Sequence, residues 1–250
     1  MLGENNLFLY WVGPEYKIIK LLRGLIYHHS NGGKNFTVHL INQHNITDYI
    51  DNFPGEFFWK LKPANQADFV RVSVINKWGG IWLDSDTIVM SSLSELFYLV
   101  NSGGFFIDQS KANDSKLFCN GVFGSKPNTP LLQLWNEDCH RIILDKKENI
   151  GWDEIGTVLL ERYRFKKDYL FKQYKIIDGN STVYPIHWTN SYQEFIEKPY
   201  ENWKQIEREF QPVVIFNNEV YKKSEVMSEC EILSKTPLSY FIKKSYLTKY

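Results

Sequence analysis

The first forty residues read as a strand, a helix and a strand, and that order constrains the fold more than any other feature of the chain. Leu7-Phe8-Leu9-Tyr10-Trp11-Val12 is a continuous apolar run closed by Gly13-Pro14, the pattern of a strand buried on both faces. Ile18, Ile19, Leu21, Leu22, Leu25 and Ile26 then recur at helical spacing as far as Ser30-Asn31-Gly32-Gly33. Phe36-Thr37-Val38-His39-Leu40-Ile41 has the composition of a second strand. A unit of these lengths joins two parallel strands by a right-handed crossover and places the chain among α/β proteins.

The next segment fixes where a ligand would bind. Pro63 to Lys77 is helical in pattern, with Pro63 where a helix can start and Ala67, Val70, Val74 and Ile75 on one face. Gly79-Gly80 ends that helix, Ile81-Trp82-Leu83 is a short strand, and Asp84-Ser85-Asp86 stands at its carboxyl end. In open α/β sheets ligands bind outside the carboxyl ends of the strands. Further strands are expected over 105–107, 118–123, 174–177, 182–184 and 212–216, and further helices over 130–144, 153–163 and 193–210. No repeat, low-complexity tract or linker interrupts the sequence, so a single domain over 1–250 is expected.

Composition removes several classes of function. Lys and Arg number 29 and so do Asp and Glu, leaving no basic excess to neutralise a nucleic-acid backbone. Cys119, Cys139 and Cys230 are too widely spaced for a zinc site or a disulfide framework. The N-terminus lacks a basic region, and nowhere are there the roughly 18 uninterrupted apolar residues of a membrane span. A cytoplasmic enzyme, soluble or peripheral to the inner face of the membrane, is the expectation. Leu238 to Tyr250 mixes Lys243, Lys244 and Lys249 with Tyr240, Phe241, Ile242, Tyr246 and Leu247. It reads as a C-terminal helix packed on the domain, with a membrane-surface helix as the alternative.

Asp84 and Asp86 are two apart, so strand alternation would aim both carboxylates to one side and turn Ser85 away. Two hard oxygen donors suit Mg²⁺ or Mn²⁺ shared with phosphate. A bare acid-x-acid pair is also what a solvated turn contains; the buried-looking strand and the Gly-Gly stop before it favour the metal reading. Upstream, Asp68 and Arg71 are three apart and share a helix face. They form either an exposed ion pair of little worth or a pair that meets donor hydroxyls and phosphates, a guanidinium suiting phosphate and a carboxylate suiting hydroxyls.

Ala67-Asp68-Phe69-Val70-Arg71 followed by Asn76-Lys77-Trp78-Gly79-Gly80-Ile81-Trp82-Leu83-Asp84-Ser85-Asp86-Thr87 resembles the sugar-binding region with a DXD motif of glycosyltransferase family 32 and of related capsular polysaccharide and lipopolysaccharide transferases. Leu9-Tyr10-Trp11-Val12-Gly13 and Val38-His39-Leu40-Ile41-Asn42 resemble the first two strands of that family. The resemblance runs strongly over residues 7 to 97 and weakens beyond Asn120-Gly121-Val122-Phe123-Gly124. It implies a GT-A fold, a Rossmann-like nucleotide-binding half with a mixed central sheet flanked by helices. Residues 1–100 would bind the nucleotide sugar and 101–250 would face the acceptor. The implied reaction is metal-dependent transfer of a hexose from a nucleotide sugar, UDP-linked by preference, to a glycan or lipid-linked acceptor with retention, using Mn²⁺ or Mg²⁺. Carried over residue by residue, Asp84 and Asp86 bind metal and donor and are implied to be catalytic, and Ser85 between them is counted among the donor-binding residues. Asp68 and Arg71 hold donor sugar and phosphates, and Trp11, Val12 and Gly13 line the base pocket. For Trp11 core packing is the alternative.

Asn120 is the candidate polar group near the anomeric carbon, with an ordinary turn Asn beside Gly121 as the alternative. Relatives often add a late ligand, commonly a His. Here Asn217-Asn218-Glu219 stands at that place, so Asn217, Asn218 or Glu219 would supply an oxygen instead. His187 reads as structural, with the acceptor cleft as the alternative. Trp152-Asp153-Glu154 reads as a helix start or as part of an acceptor-sugar site. A nucleotidyl or phosphoryl transferase would also use paired aspartates, but the chain has no phosphate-cradling Gly-rich motif. An inactive sugar-binding protein would have little reason to keep Asp68, Arg71, Asp84 and Asp86 together.

Overall fold

The strand, helix and strand at the start of the sequence are present in a computed structural model of the chain, which describes residues 5–109, 118–146, 149–179, 183, 186–207, 212–215 and 218–248. Strand β1 (Asn6–Tyr10), helix α1 (Lys17–Ser30) and strand β2 (Thr37–Ile41) are followed by two helical turns, α2 (Ile46–Tyr49) and α3 (Glu56–Trp59). Helix α4 (Pro63–Trp78) leads into β3 (Gly80–Leu83), β4 (Thr87–Val89) and α5 (Ser94–Ser102). Next come β5 (Phe105–Asp108), β6 (Phe118–Ser125), α6 (Pro130–Lys146), α7 (Thr157–Lys166) and β7 (Lys175–Asp178). The chain then runs through α8 (Trp203–Ile206), β8 (Val213–Ile215), α9 (Asn218–Lys223), α10 (Glu229–Lys235) and α11 (Pro237–Leu247).

Six strands form one sheet in the order β2-β1-β3-β6-β5-β7. β1 runs parallel to β2 and β3, whereas β6 is antiparallel to both β3 and β5. The consequence is spatial: the start of β6 lies beside the end of β3, where Asp84 N–H donates to the Gly121 carbonyl. β6 is also bulged there. Phe106 of β5 faces Phe123, but the next residue, Ile107, faces Cys119, which leaves Asn120, Gly121 and Val122 as extra residues on β6. Bulges of this kind re-aim side chains next to sites.

Side chains alternate across the sheet as the period of two requires. Phe8, Tyr10, Trp82, Phe106 and Phe123 face a core shared with α4, α6 and α7. Leu7, Leu9, Ile81, Leu83 and Phe105 face the opposite side, against Ile26 of α1 and Leu96 of α5. A third core joins Ile18, Leu22 and Leu25 of α1 to Phe241 and Ile242 of α11 and to Ile88 and Val214 of the small antiparallel sheet β4-β8. That sheet was not expected. α11 spends its apolar face inside this core, and Lys244 pairs with Glu207, in agreement with a packed C-terminal helix. Among the described residues no helix is long and apolar enough to cross a membrane.

Four expectations are corrected. α4 is buried nearly all round from Asn65 to Ile75, polar residues included, where the sequence pattern gave it a single apolar face. The helix expected from Asp153 starts at Thr157, because Trp152 to Gly156 is folded into turns with Gly156 at the N-cap. The helix expected over 193–210 is broken within its described part, 193–207: a π-helical turn (Gln193–Glu197) ends before Pro199, which has no N–H to donate, and a 3-10 turn (Tyr200–Asn202) leads into α8. Val183 of the strand expected over 182–184 lies in a turn, and its two neighbours lie outside the described residues.

The Gly-Gly step between α4 and β3 is a steric requirement. Gly80 has φ of 114°, and a Cβ there would fall 2.3 Å from the Asn6 backbone oxygen of β1. Nothing but hydrogen fits without separating β3 from β1. Gly80→Ala is expected to lower unfolding stability by about 3 kcal/mol, from the backbone conformation and the clash together. Urea titration checks this, and a loss under about 0.5 kcal/mol, the range of an indifferent surface change, would contradict it.

Candidate active site

The acidic segment lies immediately past β3, in the turn that leads to β4. Its two carboxylates are thus brought together by a turn and not by strand alternation. The turn is fixed from inside: Ser85 is buried, and its hydroxyl donates to the Tyr10 carbonyl at the end of β1 (2.9 Å). Ser85, expected among the donor-binding residues, has its hydroxyl committed to the fold.

Asp68 and Arg71, expected at the surface or facing a donor, are 4% and 5% exposed. Their helix face turns inward, onto the end of β3. Arg71 Nη2 meets Asp84 Oδ1 at 3.1 Å, Nη1 meets Asp68 Oδ1 at 3.4 Å, and Nε donates to the Ala67 carbonyl at 3.2 Å. The guanidinium lies over the ring of Trp82, with Cζ 5.4 Å from its centroid, and the Trp82 indole N–H donates to Asp84 Oδ1 (2.8 Å). Arg71 therefore positions two carboxylates at once, a task that its planar fork suits.

Asn120 projects from the β6 bulge, and its Nδ2 donates to Asp68 Oδ1 at 2.8 Å. Gly156 closes the other side: a Cβ there would lie 2.4 Å from Asn120 Nδ2 and 2.6 Å from each Asp68 oxygen. Three distant stretches of sequence thus meet at Asp68, and Arg71 joins them to a fourth at Asp84.

The electrostatics follow from counting charge. Asp68, Asp84 and Asp86 share one guanidinium, with Asp68 and Arg71 buried and Asp84 and Asp86 half-buried. Burial pushes the Asp68 carboxyl up to about 6; Arg71 and Asn120 oppose the rise, and the charge of Asp84 adds to it. Burial, reinforced by Asp84, pushes Asp86 well above the ordinary carboxylate range. Carboxylates that resist ionisation for want of positive charge are what a divalent cation would relieve. Their hard oxygens fit Mg²⁺ or Mn²⁺. Among the described residues no third Asp, Glu, His or Cys joins them in a metal-sized group. Asn217 lies outside the described residues, as do the side chains of Asn218 and Glu219.

At the end of β1, Trp11 is half-buried and not a core residue. Its ring packs edge-on against Tyr16 (6.3 Å) and Tyr221 (5.6 Å), and its N–H donates to the Pro14 carbonyl. Val12 packs on the first core, and Gly13 is exposed with φ of 123°. Tyr221, on α9, links this aromatic group to the acidic pair: burial raises its phenol, and the charges of Asp86 and Asp84 raise it further. Sequence reading missed Tyr221, Trp82 and Gly156. Trp82 stood inside the motif and could have been found there; the other two lie far from it in sequence. His187 bonds to Thr189 within its own turn (2.7 Å), as a structural histidine does.

A family model described as capsular polysaccharide synthesis protein matches residues 2–208. An uncharacterized glycosyltransferase of Acanthamoeba polyphaga mimivirus is 37% identical over 68 residues, a match that spans 27% of this chain and only 26% of that relative. The crystal structure of a glycosyltransferase involved in the glycosylation of the major capsid of PBCV-1 is similar with a TM-score of 0.52 at 10% identity, covering 89% of this chain and 98% of that one. The galactosyltransferase LgtC, in complex with donor and acceptor sugar analogues, gives a TM-score of 0.49 at 9% identity over 98% of this chain and 96% of that one. The chain thus has the GT-A fold of glycosyltransferases, and it belongs to the capsular polysaccharide synthesis protein family.

Proposed function

We propose that this protein is a glycosyltransferase that moves a hexose from a nucleotide sugar, UDP-linked by preference, to a glycan or lipid-linked acceptor with retention of configuration. The observation that carries the reading is the charge imbalance around Arg71: three aspartates at a sheet's carboxyl edge, two of them held by one guanidinium. A site so short of positive charge accepts a cation and, through it, a diphosphate. The similarity to glycosyltransferases, by fold and in part by sequence, supports the same assignment.

Asp84 and Asp86 would hold Mn²⁺ or Mg²⁺, which when bound supplies Lewis-acid stabilisation of the departing diphosphate. Arg71 and the Trp82 indole fix the Asp84 carboxylate in one orientation, so no reorganisation is needed when donor arrives. Asp68, fixed by Asn120 and Arg71, presents acceptor oxygens for donor hydroxyls. Asn120, beside it, is the polar group nearest the expected reacting carbon. Trp11 and Tyr221 form an aromatic surface next to the acidic pair that suits a nucleobase. The Asn217 to Glu219 stretch remains the proposed source of a further oxygen ligand, and the site of action is proposed to be cytoplasmic.

Incubation with a panel of UDP- and GDP-sugars and Mn²⁺ is expected to release the nucleoside diphosphate from one of them. Asp84→Asn and Asp86→Asn should each reduce that release on the order of 100-fold or more, and chelation should abolish it. Release of pyrophosphate or nucleoside monophosphate in its place, or full activity in both variants, would refute the assignment.

Burial also links the site to pH. Asp68 titrates near 6 in the folded chain, against 3.8 for an ordinary aspartate. The folded state thus binds the proton more tightly, and this contribution to stability is complete below pH about 4 and lost as pH rises through about 6. For the metal-free protein, the stability advantage of Asp68→Asn over wild type should therefore grow between those values by about 2 to 3 kcal/mol and then level off. Unfolding curves at pH 4.5, 5.5, 6.5 and 7.5 measure it; a constant gap would contradict the assigned burial.

A further inference from the structure

Trp152 is 62% exposed, yet the turn that carries it is tied by side-chain hydrogen bonds from two helices. Asn65 Nδ2 donates to both the Gly151 carbonyl (2.8 Å) and the Trp152 carbonyl (3.1 Å). The Trp135 indole N–H donates to the Ile155 carbonyl (2.7 Å), and Glu154 accepts from the Gly151 N–H (2.9 Å). At its far end the turn presses Gly156 against Asp68 and Asn120. Asn65 and Asp68 lie three residues apart on α4, a rise of roughly 4.5 Å. One end of the turn is thus held by Asn65 and the other packs on Asp68, so both ends register against the same stretch of α4.

Water-exposed indole has a hydrophobic cost, and a flexible loop would let the ring fold back. Here the backbone is held, so the ring is presented. We infer that Trp152 is a stacking platform for a sugar ring of the acceptor, and that the 151–156 turn forms the acceptor side of the site. This rests on the proposed glycosyltransferase reading. A pyranose offers an apolar C–H face to an aromatic ring and hydroxyls at its edge, and Asp153 follows directly in sequence to receive them. Asp153 also lies close enough for its charge to act on Asp68. The alternative occupant of an exposed indole is a membrane surface. The stretch from Lys146 to Glu154 argues against it, with Lys146 and Lys147 outnumbered by Glu148, Asp153 and Glu154, where anionic lipid attracts basic clusters.

The experiment is a calorimetric titration of wild type, Trp152→Ala and Trp152→Phe with a panel of gluco- and galacto-oligosaccharides. In parallel, UDP-glucose and UDP-galactose are titrated with Mn²⁺, and binding to vesicles containing anionic lipid is measured. Expected are an oligosaccharide that binds wild type, about a tenfold or greater weakening in Trp152→Ala, retention within about threefold in Trp152→Phe, and an unchanged UDP-hexose affinity. Equal oligosaccharide affinity in wild type and Trp152→Ala, no oligosaccharide bound by wild type, or a loss of vesicle binding in Trp152→Ala would each overturn the inference. If oligosaccharide binding depends on Trp152 while no UDP-hexose binds wild type, the subsite stands and the donor reading falls.

Discussion

One guanidinium organises the site. Arg71 lies over Trp82 and touches Asp84 and Asp68 together, so α4 and β3 are linked by charge at the point where their backbones part. Breaking a buried pair is strongly destabilising, yet an apolar replacement of the whole pair is often neutral or better. Stability alone therefore gives little reason for buried charge here. What the arrangement supplies is geometry: two carboxylates held in fixed directions, one buried and one half-buried. On the proposed reading the unbalanced third carboxylate, Asp86, would make that geometry a receiver for a cation. Fold and chemistry thus share one residue.

The sheet determines what else can reach that residue. Had β6 run parallel to β3, its carboxyl end would have lain beside Asp84, and Asn120, near its start, would have been at the far edge. The antiparallel direction brings the first residues of β6 to the carboxyl edge of β3, and the three-residue bulge frees Asn120 from the β5 ladder to meet Asp68. α4 carries the complementary half. It is buried on nearly every side because it must pack on the sheet, touch α6 and deliver Asp68 and Arg71 to the strand ends. A helix with those obligations cannot be amphipathic in the ordinary sense.

That explains which parts were legible in the sequence. The β1-α1-β2 unit, α4, the Gly-Gly stop and the acidic turn are contiguous, each with a local pattern of its own, and they were readable as such. The burial of Asp68 and Arg71 was not, because hydrophobic periodicity registers apolar faces and assigns charged residues to solvent. The β4-β8 pair was hidden for a different reason. Each strand has three residues, and the partners lie more than a hundred positions apart. Gly156 and Tyr221 carry no signal of a place in the site until the chain folds: one is a lone glycine, the other a tyrosine in a short helix. As helix breakers, Pro199 and Gly156 show the reverse case: both were present in the sequence, and the expected helices ran across them.

The two halves of the site differ in how they are built, and the difference bears on how such an enzyme can change. On the proposed reading the donor side is made of β1, β3, β6 and α4, elements whose side chains are also the core. A substitution there is felt by packing, as at Gly80, where even one carbon has no room. The acceptor side, on this reading, is the 151–156 turn, whose backbone is tied by Asn65 and Trp135 and whose Trp152 side chain is exposed. The Trp152 side chain can change without disturbing the Asn65 and Trp135 bonds that hold the turn. A fixed receptor for the common diphosphate beside a replaceable edge for the acceptor is what a scaffold needs to serve many polysaccharides. The division follows from a turn whose backbone carries the bonds while its indole stands exposed to solvent.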